Sequence, residues 1–286
     1  MYNVGLIGCG RWGSNHLNLL ANEVGASISN LYVVDSKKIQ HPCVEQCFTI
    51  EEFDDVLDLI DIAIIASPNQ FHVAQAKQCL EKNIHVLVEK PLAQTMTELQ
   101  PLLKVIETTS ACLQVGYLLN SHPAITFLEQ HLHLDEIESI EYWRTTTRTN
   151  RLSTHPVDAF LVHAIALFSH LGITILENDI VHHVEESLHS YSFTSTQNIP
   201  IKCHVGWNAK EERRHIEIVT RNDSIQVDFG NPGFCTINHH QYRTSDEQAL
   251  QSQWNQFLSN IQRKQTLPAQ SFEAFQHQYE LFITIV

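Results

Sequence analysis

Residues 4–13 read Val4-Gly5-Leu6-Ile7-Gly8-Cys9-Gly10-Arg11-Trp12-Gly13, an apolar run followed at once by glycines in the pattern G-x-G-x-x-G. In a fingerprint of this kind the glycines allow a tight turn, let the backbone approach a pyrophosphate, and let the next helix pack closely on the strand. Leu17 and Leu20 then recur at helical spacing, so the order is strand, loop, helix. The unpaired N–H groups at the start of such a helix stabilise a phosphate, and the sequence therefore predicts a dinucleotide site.

A carboxylate follows the second predicted strand, which covers Leu31-Tyr32-Val33-Val34 and ends at Asp35. A carboxylate about 20 residues beyond the glycines can accept hydrogen bonds from the ribose hydroxyls of the adenosine. Asp35 favours NAD, because its charge would repel the extra phosphate of NADP. Lys37 and Lys38 follow in the same turn and leave NADP open as the alternative.

The composition is that of a large globular protein. The chain has 286 residues, 43% of them hydrophobic, which is enough for a large core and more than a single dinucleotide-binding unit needs. A formal net charge of −14 argues against nucleic acid, whose binding needs a basic surface. No apolar run is long enough to span a membrane, and Met1-Tyr2-Asn3 leads directly into the first strand, so we expect no signal peptide and a cytoplasmic protein.

Cysteine and histidine are frequent, but their spacing predicts no metal site. The seven cysteines are scattered through predicted strands and helices, as reduced core residues are. Cys43 and Cys47 share a loop without a second pair to complete a zinc site. The 18 histidines include adjacent pairs such as His182-His183, which we interpret as exposed.

Strand and helix patterns alternate through the first part of the chain. They predict an α/β fold with an N-terminal NAD(P)-binding Rossmann domain over residues 1–120, built on a doubly wound parallel sheet. One of the predicted helices runs from Phe53 to Ile60. In this architecture ligands bind beyond the carboxyl ends of the strands. The residues directly after three of the strands are therefore candidates for the site: Ser67-Pro68-Asn69, Glu89-Lys90-Pro91 and Gly116-Tyr117.

From about residue 136 the pattern changes to strands that follow one another. Alternation and turn residues predict strands, among them Ile137–Thr147 and Asp179–His189, whereas helical spacing is strong from Pro156 to His170 and again toward the C-terminus. Residues 121–286 are thus predicted to form an α+β domain with a largely antiparallel, open-faced sheet that binds the substrate. The open face favours pairing with another subunit, as a homodimer or homotetramer.

Four motifs occur in order along the chain: the glycine loop Gly8–Gly13, Ser67-Pro68-Asn69-Gln70-Phe71-His72, His85-Val86-Leu87-Val88-Glu89-Lys90-Pro91-Leu92, and Val115-Gly116-Tyr117. In these motifs the chain resembles the family of glucose–fructose oxidoreductase, inositol dehydrogenase and rhizopine catabolism proteins (Gfo/Idh/MocA). The resemblance covers essentially the whole chain and implies a nicotinamide cofactor that oxidises or reduces a carbon of a sugar, polyol or nucleotide-sugar. It also implies that Lys90 transfers the proton, that Pro91 follows in a bond that is often cis, and that Pro68 and Asn69 lie against the cofactor.

The chemistry of hydride transfer also supports a role for Lys90. Removing a hydride from a carbinol carbon requires loss of the hydroxyl proton, and the reverse reduction requires its return, so a proton-exchanging group must lie beside the reacting carbon. Strand alternation turns Glu89 away from Lys90, which favours a structural role for Glu89. His72 lies inside the helix predicted after Ser67-Pro68-Asn69, where we expect it to orient the loop before that helix.

The chain departs from the family in the helix predicted from Pro156 to His170. Relatives commonly carry an aspartate and a histidine four residues apart there, one helical turn that aims both at the substrate. His163 fits the histidine position, but Ala159 lies four residues before it and Asp158 five. A five-residue offset is roughly 140° around an α-helix, so Asp158 would face elsewhere unless the helix bulges. His163 therefore stays a candidate either for contact with the substrate hydroxyl or for packing between helix and sheet.

Basic residues cluster ahead of that helix, at Arg144, Arg148 and Arg151. In an acidic protein such a local excess of guanidinium groups suggests an anionic group on the substrate, a phosphate or a carboxylate. The alternative is a solvated loop whose arginines pair with neighbouring carboxylates. His155 opens the helix beside this loop and Tyr117 follows a strand end, and both are further substrate candidates.

These assignments define two sets of candidate residues. The cofactor set is Gly8, Cys9, Gly10, Arg11, Trp12, Gly13, Asp35, Ser67, Pro68, Asn69, His72, Glu89 and Lys90. The substrate set is Lys90, Tyr117, Arg148, Arg151, His155, Asp158 and His163, of which Lys90 and His163 are the catalytic candidates.

Three functions are consistent with these patterns. The first is an NAD(P)-dependent oxidoreductase that transfers a hydride between the nicotinamide and a secondary alcohol or ketone of a sugar or nucleotide-sugar, with Lys90 as acid and base. The second is reduction of an imine or C=C bond in a secondary metabolite or pigment, which the missing acid four residues before His163 favours. The third is a non-catalytic dinucleotide-binding sensor, against which the glycine loop, Asp35 and Lys90 argue.

Overall fold

The computed structural model describes the chain as two units, each with a sheet of its own. The described residues are 1–149, 155–176, 180–231, 233–245, 247–267 and 272–285. Unit 1 comprises Met1–Gly116 and Trp254–Ala269, and unit 2 comprises Tyr117–Gln253 and Gln270–Val286. The first change of unit thus falls at residue 116, beside the boundary expected at residue 120, and unit 1 also includes a later segment of the chain.

Unit 1 is built on a parallel sheet. Its described strands are β1 (Tyr2–Ile7), β2 (Ile28–Val34), β3 (Phe48–Ile50), β4 (Ile62–Ile65), β5 (His85–Val88) and β6 (Leu113–Val115). They lie in the order β3-β2-β1-β4-β5-β6, and each neighbouring pair is parallel. The strand order reverses between β1 and β4, which is where doubly wound sheets open their ligand crevice. The predicted doubly wound fold is confirmed.

Helices pack on this sheet through apolar stripes. Helix α1 (Arg11–Glu23) buries one face, which includes Gly13, Leu17 and Leu20. Helices α2 (His72–Glu81) and α3 (Met96–Ile106) follow β4 and β5 in the chain. Because helices of this kind cover both faces of a parallel sheet, its strands are apolar on both sides.

The helix predicted from Phe53 to Ile60 is wrong. The structure has only a short 3-10 turn there, Asp54–Val56, although the apolar side chains of Val56 and Ile60 are buried. The segment also carries three aspartates, and Asp58 lies three and four residues beyond Asp55 and Asp54. Aspartate has a low helix propensity, and like charges at these spacings repel each other on a helix.

Unit 2 is built on a mostly antiparallel sheet. Its described strands are β7 (Ile137–Thr145), β8 (Val181–Glu185), β9 (Leu188–Thr194), β10 (Pro200–Gly206), β11 (Arg213–Thr220), β12 (Ser224–Asp228), β13 (Phe234–Ile237) and β14 (His240–Arg243). They lie in the order β14-β13-β12-β11-β7-β10-β9-β8. Strands β7 and β10 pair in parallel, and the other described neighbours are antiparallel. The predicted largely antiparallel sheet is confirmed.

The strand predicted over Asp179–His189 is a hairpin. Strands β8 and β9 pair with each other and turn at Glu186 and Ser187, where Glu186 has a φ of 52°. Neither glycine nor proline marks this turn, so the alternation of side chains gave no sign of it. Asp179 itself lies outside the described residues.

Side chains alternate between two faces of the unit 2 sheet. The buried face includes Ile140, Tyr142, Cys203, Ile216 and Ile218. The open face, on the other side, is defined by Glu141, Trp143, Lys202, His204, Arg213, His215 and Val219. At its centre the Trp143 ring stacks on the His204 ring, with centroids 4.0 Å apart, and the Arg213 Cζ lies 4.4 Å from the Trp143 ring centroid.

Four further helices complete the described chain. They are α4 (Pro123–Glu129), α5 (Val162–His170), α6 (Ala249–Gln262) and α7 (Phe272–Ile285). Helix α5 is buried on most of its circumference, as expected for a helix without a polar face. Helix α6 begins in unit 2 and ends in unit 1, where Trp254, Phe257 and Ile261 join the core around β1 and β2. Among the described helices, none combines the length and hydropathy of a membrane span.

We predict that Gly13→Ala destabilises unit 1. A Cβ at Gly13 would lie 2.0 Å from the backbone oxygen of Gly8, so the loop or α1 must move. Overpacking of this kind costs about 1–3 kcal/mol, which thermal unfolding measures as a lower melting temperature. Gly10→Ala is the control, because a Cβ there meets no described atom within 4 Å. Equal melting temperatures for the two variants would contradict the packing argument.

Candidate functional site

The loop between β1 and α1 is held in a tight turn by its backbone. Gly8 has a φ of +90°, in the region that favours glycine, and its N–H donates to the Val34 carbonyl oxygen at 2.8 Å. The Ser14 N–H donates to the Gly10 carbonyl oxygen at 2.9 Å as α1 begins. Within the described chain no side chain caps the N-terminus of α1. The first N–H groups of this helix can therefore bind an anion.

Asp35 lies at the end of β2 and joins the glycine loop. Its Oδ2 accepts the Cys9 backbone N–H at 2.8 Å, and its Oδ1 accepts the Lys37 backbone N–H at 2.9 Å. Each carboxylate oxygen has a second lone pair, so Asp35 can still accept hydrogen bonds from the hydroxyls of a ribose. Burial raises the pKa of the Cys9 thiol, and the Asp35 charge raises that pKa further, so Cys9 is neutral in the loop.

The geometry of the loop fits the pyrophosphate of a dinucleotide. Cβ atoms on Gly8 and Gly13 would lie 2.7 Å and 2.0 Å from backbone atoms, so these two glycines close the turn. A Cβ on Gly10 would meet no described atom within 4 Å, so Gly10 borders open space. Arg11 and Trp12 are exposed on the first turn of α1 beside it. The loop, the uncapped helix start and Asp35 are the residues that could hold the cofactor.

His72 connects the loops that follow β4 and β5. Its Nε2 lies 2.8 Å from the Ser67 carbonyl oxygen, and its Nδ1 lies 2.8 Å from the Pro91 carbonyl oxygen. The side chain is 1% exposed. His72 therefore positions the two loops and does not face a ligand itself.

Lys90 lies two residues beyond the end of β5 and is joined to Pro91 by a cis peptide bond. Its neighbour Glu89 contacts α1, where the Glu89 Oε1 lies 2.8 Å from the His16 Nε2. A Cβ on Gly116 would lie 3.3 Å from the Glu89 Cα, so the glutamate is packed closely from that side as well. Sequence reasoning missed His16, although a polar residue inside the apolar stripe of α1 is a signal for such a partner.

The loop after β4 lies against the glycine loop. A Cβ on Gly8 would lie 2.7 Å from the Ser67 Cα, and the Ser67 hydroxyl donates to the Gln75 Oε1 at 2.6 Å. Pro68 and Asn69 are exposed where a 3-10 turn, Asn69–Phe71, begins. The structure thus brings the glycine loop together with Asp35 and Ser67 at one edge of the unit 1 sheet.

Two of the substrate candidates meet within unit 2. The Tyr117 ring contacts the His163 ring edge to face, with centroids 6.4 Å apart. Tyr117 is 5% exposed and leads into a 3-10 turn, Leu118–Ser121. The Asn120 Nδ2 of that turn donates to the Ala166 carbonyl oxygen at 3.4 Å, which ties the turn to α5.

The helix that carries His163 begins with a π-helical turn, Val157–Leu161, in which the Val162 N–H donates to the Val157 carbonyl oxygen. A π turn amounts to one residue added to an α-helix. Two positions that are five residues apart across it therefore correspond to positions four apart in a regular helix. The backbone positions of Asp158 and His163 have this relation, whereas the Asp158 side chain lies outside the described part of the structure.

The basic loop is described only in part. Arg151 lies outside the described residues. Arg148 is exposed, and its carbonyl oxygen accepts the Asn208 N–H at 3.2 Å. His155 is exposed as well, and its ring contacts the His189 ring with centroids 5.0 Å apart. Sequence reasoning missed Arg214, which the sheet register places opposite Arg144.

A family comparison supports the dinucleotide site. Residues 2–117 match the sequence model GFO_IDH_MocA, which is described as an oxidoreductase family with an NAD-binding Rossmann fold. These residues nearly coincide with the first segment of unit 1. Over these residues the match agrees with the predicted resemblance to this family and confirms the predicted NAD-binding Rossmann fold.

Curated relatives match the chain over a stretch of similar length. A UDP-N-acetylglucosamine 3-dehydrogenase of Acidithiobacillus ferrooxidans is 25% identical over 127 residues, which are 44% of this chain and 40% of that protein. A glucose-6-phosphate 3-dehydrogenase of Bacillus subtilis is 30% identical over 120 residues, which are 41% of this chain and 34% of that protein. The match therefore spans less than half the length of these relatives.

Solved structures match the chain over nearly its whole length. The Acidithiobacillus ferrooxidans UDP-N-acetylglucosamine 3-dehydrogenase has a TM-score of 0.84 at 20% identity and covers 99% of this chain and 95% of its own. A scyllo-inositol dehydrogenase of Lactobacillus casei, with bound NAD(H) and scyllo-inositol, has a TM-score of 0.77 at 17% identity, with coverage of 99% and 95%. The fold is therefore shared in both sheets.

We predict that Gly10→Ala lowers the affinity for NAD by roughly tenfold or more, because the new Cβ projects where the loop backbone approaches the pyrophosphate. The melting temperature of the cofactor-free variant should stay that of the unchanged protein, since the Cβ meets no described atom within 4 Å. Calorimetric titration with NAD measures the affinity. An unchanged affinity would remove Gly10 from the cofactor site.

Proposed function

Because residues 2–117 match the Gfo/Idh/MocA oxidoreductase family, we propose that this chain is an NAD-dependent enzyme acting on a secondary alcohol or ketone of a sugar or nucleotide-sugar. One observation carries the proposal. The glycine loop and Asp35 lie at the same edge of the sheet as the strand end that precedes Lys90, and His72 ties the loop after β4 to Pro91.

In this proposal different residues of unit 1 bind different parts of NAD. The first N–H groups of α1 bind the pyrophosphate, and Asp35 accepts hydrogen bonds from the adenosine ribose. The negative charge of Asp35 selects NAD over NADP. When bound, NAD supplies the site that takes up or releases the hydride.

Lys90 exchanges the proton of the substrate hydroxyl, accepting it in oxidation and returning it in reduction. The backbone at Lys90 is set by contacts that do not involve the substrate, namely the buried strand β5 before it and the hydrogen bond from His72 to Pro91 after it. Such preorganisation favours proton transfer, because the group does not have to be positioned at the moment of reaction.

The names of the relatives support a sugar-like substrate. Most of them are dehydrogenases of a nucleotide-sugar, of a sugar phosphate or of inositol, and one is a 4-carboxy-2-hydroxymuconate-6-semialdehyde dehydrogenase. In this proposal His163 and Tyr117 of unit 2 bind the substrate. The π turn before His163 restores the backbone spacing of an aspartate and histidine pair for Asp158, which favours the dehydrogenase over imine reduction.

We predict that Lys90→Met lowers turnover by about 10²–10⁴-fold, the usual contribution of a general acid or base, while NAD affinity changes little. The measurement follows nicotinamide absorbance with NAD or NADP and a panel of UDP- and dTDP-sugars, sugar phosphates, neutral polyols and imines. Lys82→Met is the matched control, because Lys82 is an exposed lysine paired with Asp58.

Two results would contradict parts of this proposal. Unchanged turnover in Lys90→Met would remove the lysine from the mechanism. Turnover of imines alone would replace the sugar substrate, and NAD binding without turnover of any compound in the panel would leave the sensor as the function.

We propose further that the open face of the unit 2 sheet joins copies of this chain into a homodimer or homotetramer. Val181, Val219 and Phe234 are 64%, 40% and 37% exposed on the strands of that face. The stack of Trp143, His204 and Arg213 lies on the same face and offers a broad surface for a second sheet. A symmetric interface would place the same residues opposite one another.

We predict that Val219→Lys shifts the assembly toward monomers, because the new lysines of both copies would add positive charge to an interface that already contains Lys202 and Arg213. Light scattering after size exclusion measures the mass. Thr126→Lys, on the exposed side of α4, is the control and should leave the mass unchanged. A monomer before any substitution, or an unchanged oligomer in Val219→Lys, would contradict this interface.

A further inference from the structure

Two arginines face each other on neighbouring strands of unit 2. Arg144 on β7 pairs in register with Arg214 on β11, and both follow the alternation of the buried face. Residues directly opposite in an antiparallel pair have Cβ atoms about 4.5–5.5 Å apart, and like charges in such a pair are destabilising. The two positive charges therefore repel each other in the folded protein, and a bound anion would reduce this repulsion.

Little negative charge offsets this pair. Among the described residues, no carboxylate lies within ion-pair distance of Arg144 or of Arg148, and Arg214 pairs with Glu212 alone. The Arg144 guanidinium instead lies over the Phe160 ring, with Cζ 5.6 Å from the centroid. A solvated loop whose arginines pair with carboxylates would not have this arrangement.

Three guanidinium groups act on one another here. Burial lowers the pKa of Arg144, and the positive charge of Arg148 lowers it further. Burial also lowers the pKa of Arg214, with Arg144 and Arg148 adding to the shift and Asp228 opposing it. The cluster therefore extends from the two strands to Arg148 in the loop after β7.

Two buried polar atoms at this cluster have no hydrogen-bond partner in the described chain, the Arg214 Nε and the Tyr142 Oη. Tyr142 precedes Arg144 by two residues on the buried face, and the Arg144 charge counteracts the rise that burial causes in the Tyr142 pKa. Buried polar groups in native proteins are nearly always satisfied. A ligand with several acceptor oxygens would satisfy both atoms.

Arg213 shows what an ordinary arginine does on the same strand. It points to the open face, where it pairs with Glu211 and stacks over Trp143. Both arginines pair with the glutamate two residues before them, but Arg213 stacks on Trp143, whereas Arg214 lies opposite a second arginine, Arg144.

We propose that Arg144, Arg148 and Arg214, with the Tyr142 hydroxyl, form a binding site for a phosphate group of the substrate. A phosphate monoester or diphosphate offers more acceptor oxygens than a carboxylate, enough for three guanidinium groups. The assignment of this phosphate to the substrate rests on the proposed dehydrogenase function. If the substrate carries this phosphate group, its class is restricted to sugar phosphates and nucleotide-sugars.

Calorimetric titration with inorganic pyrophosphate tests the site directly. The protein is first saturated with NADH, so that the glycine loop is occupied. Arg148→Gln should weaken pyrophosphate binding by roughly tenfold to hundredfold, and Tyr142→Phe should weaken it less, whereas Arg213→Gln should bind as the unchanged protein does. Equal binding by all four proteins, or no binding by the unchanged one, would overturn the site.

Thermal unfolding distinguishes a binding role from a structural one. Without anion, Arg148→Gln should melt at the same temperature as the unchanged protein or higher, because it removes a repelling charge. Added pyrophosphate should raise the melting temperature of the unchanged protein more than that of the variant. A lower melting temperature of anion-free Arg148→Gln would mean that the arginine is structural.

The site and the proposed function fail in different ways. Pyrophosphate binding that depends on Arg148, combined with no turnover of any sugar, would keep the anion site and reject the dehydrogenase. Alternatively, Arg148→Gln loses turnover of neutral and phosphorylated sugars to the same extent, or loses none. Either result would keep the dehydrogenase function and reject the anion site.

Discussion

The contact between Gly13 and the Gly8 carbonyl oxygen is the constraint on which the dinucleotide site depends. With no side chain between them, α1 starts directly over the end of β1, and the Cys9 N–H of the loop donates to the Asp35 carboxylate. Gly8 in turn lies against Ser67 at the end of β4. One close backbone approach thus brings three strand ends together, and the open side at Gly10 is left for the ligand.

The fold of unit 1 could be predicted because its signals are local. Apolar strands, the glycine pattern and Asp35 each occupy a few consecutive residues, and alternation with helices leaves few possible topologies. The segment from Phe53 to Ile60 shows the limit of such reasoning. The spacing of its apolar residues predicts which side chains are buried. The aspartates among them disfavour an α-helix, and only a short 3-10 turn forms.

The site in unit 2 could be predicted by residue type but not by arrangement. Arg144 and Arg148 were identified from the chain, whereas Arg214 joins them only through strand register, which no short pattern encodes. The π turn before His163 is a second case, because an added residue in a helix leaves the periodicity of an apolar segment nearly unchanged. The partners of His16 and His72 lie far away in sequence, so their roles required coordinates.

Helix α6 has a consequence for the order in which the protein is made. Unit 1 is assembled from the start of the chain and from a segment that begins at Trp254. During synthesis from the N-terminus, Trp254, Phe257 and Ile261 leave the ribosome only after most of unit 2. The core around β1 and β2 cannot be completed before they do. The dinucleotide unit, although it is encoded first, is therefore completed late, and its exposed apolar surface on the growing chain is a natural target for chaperones.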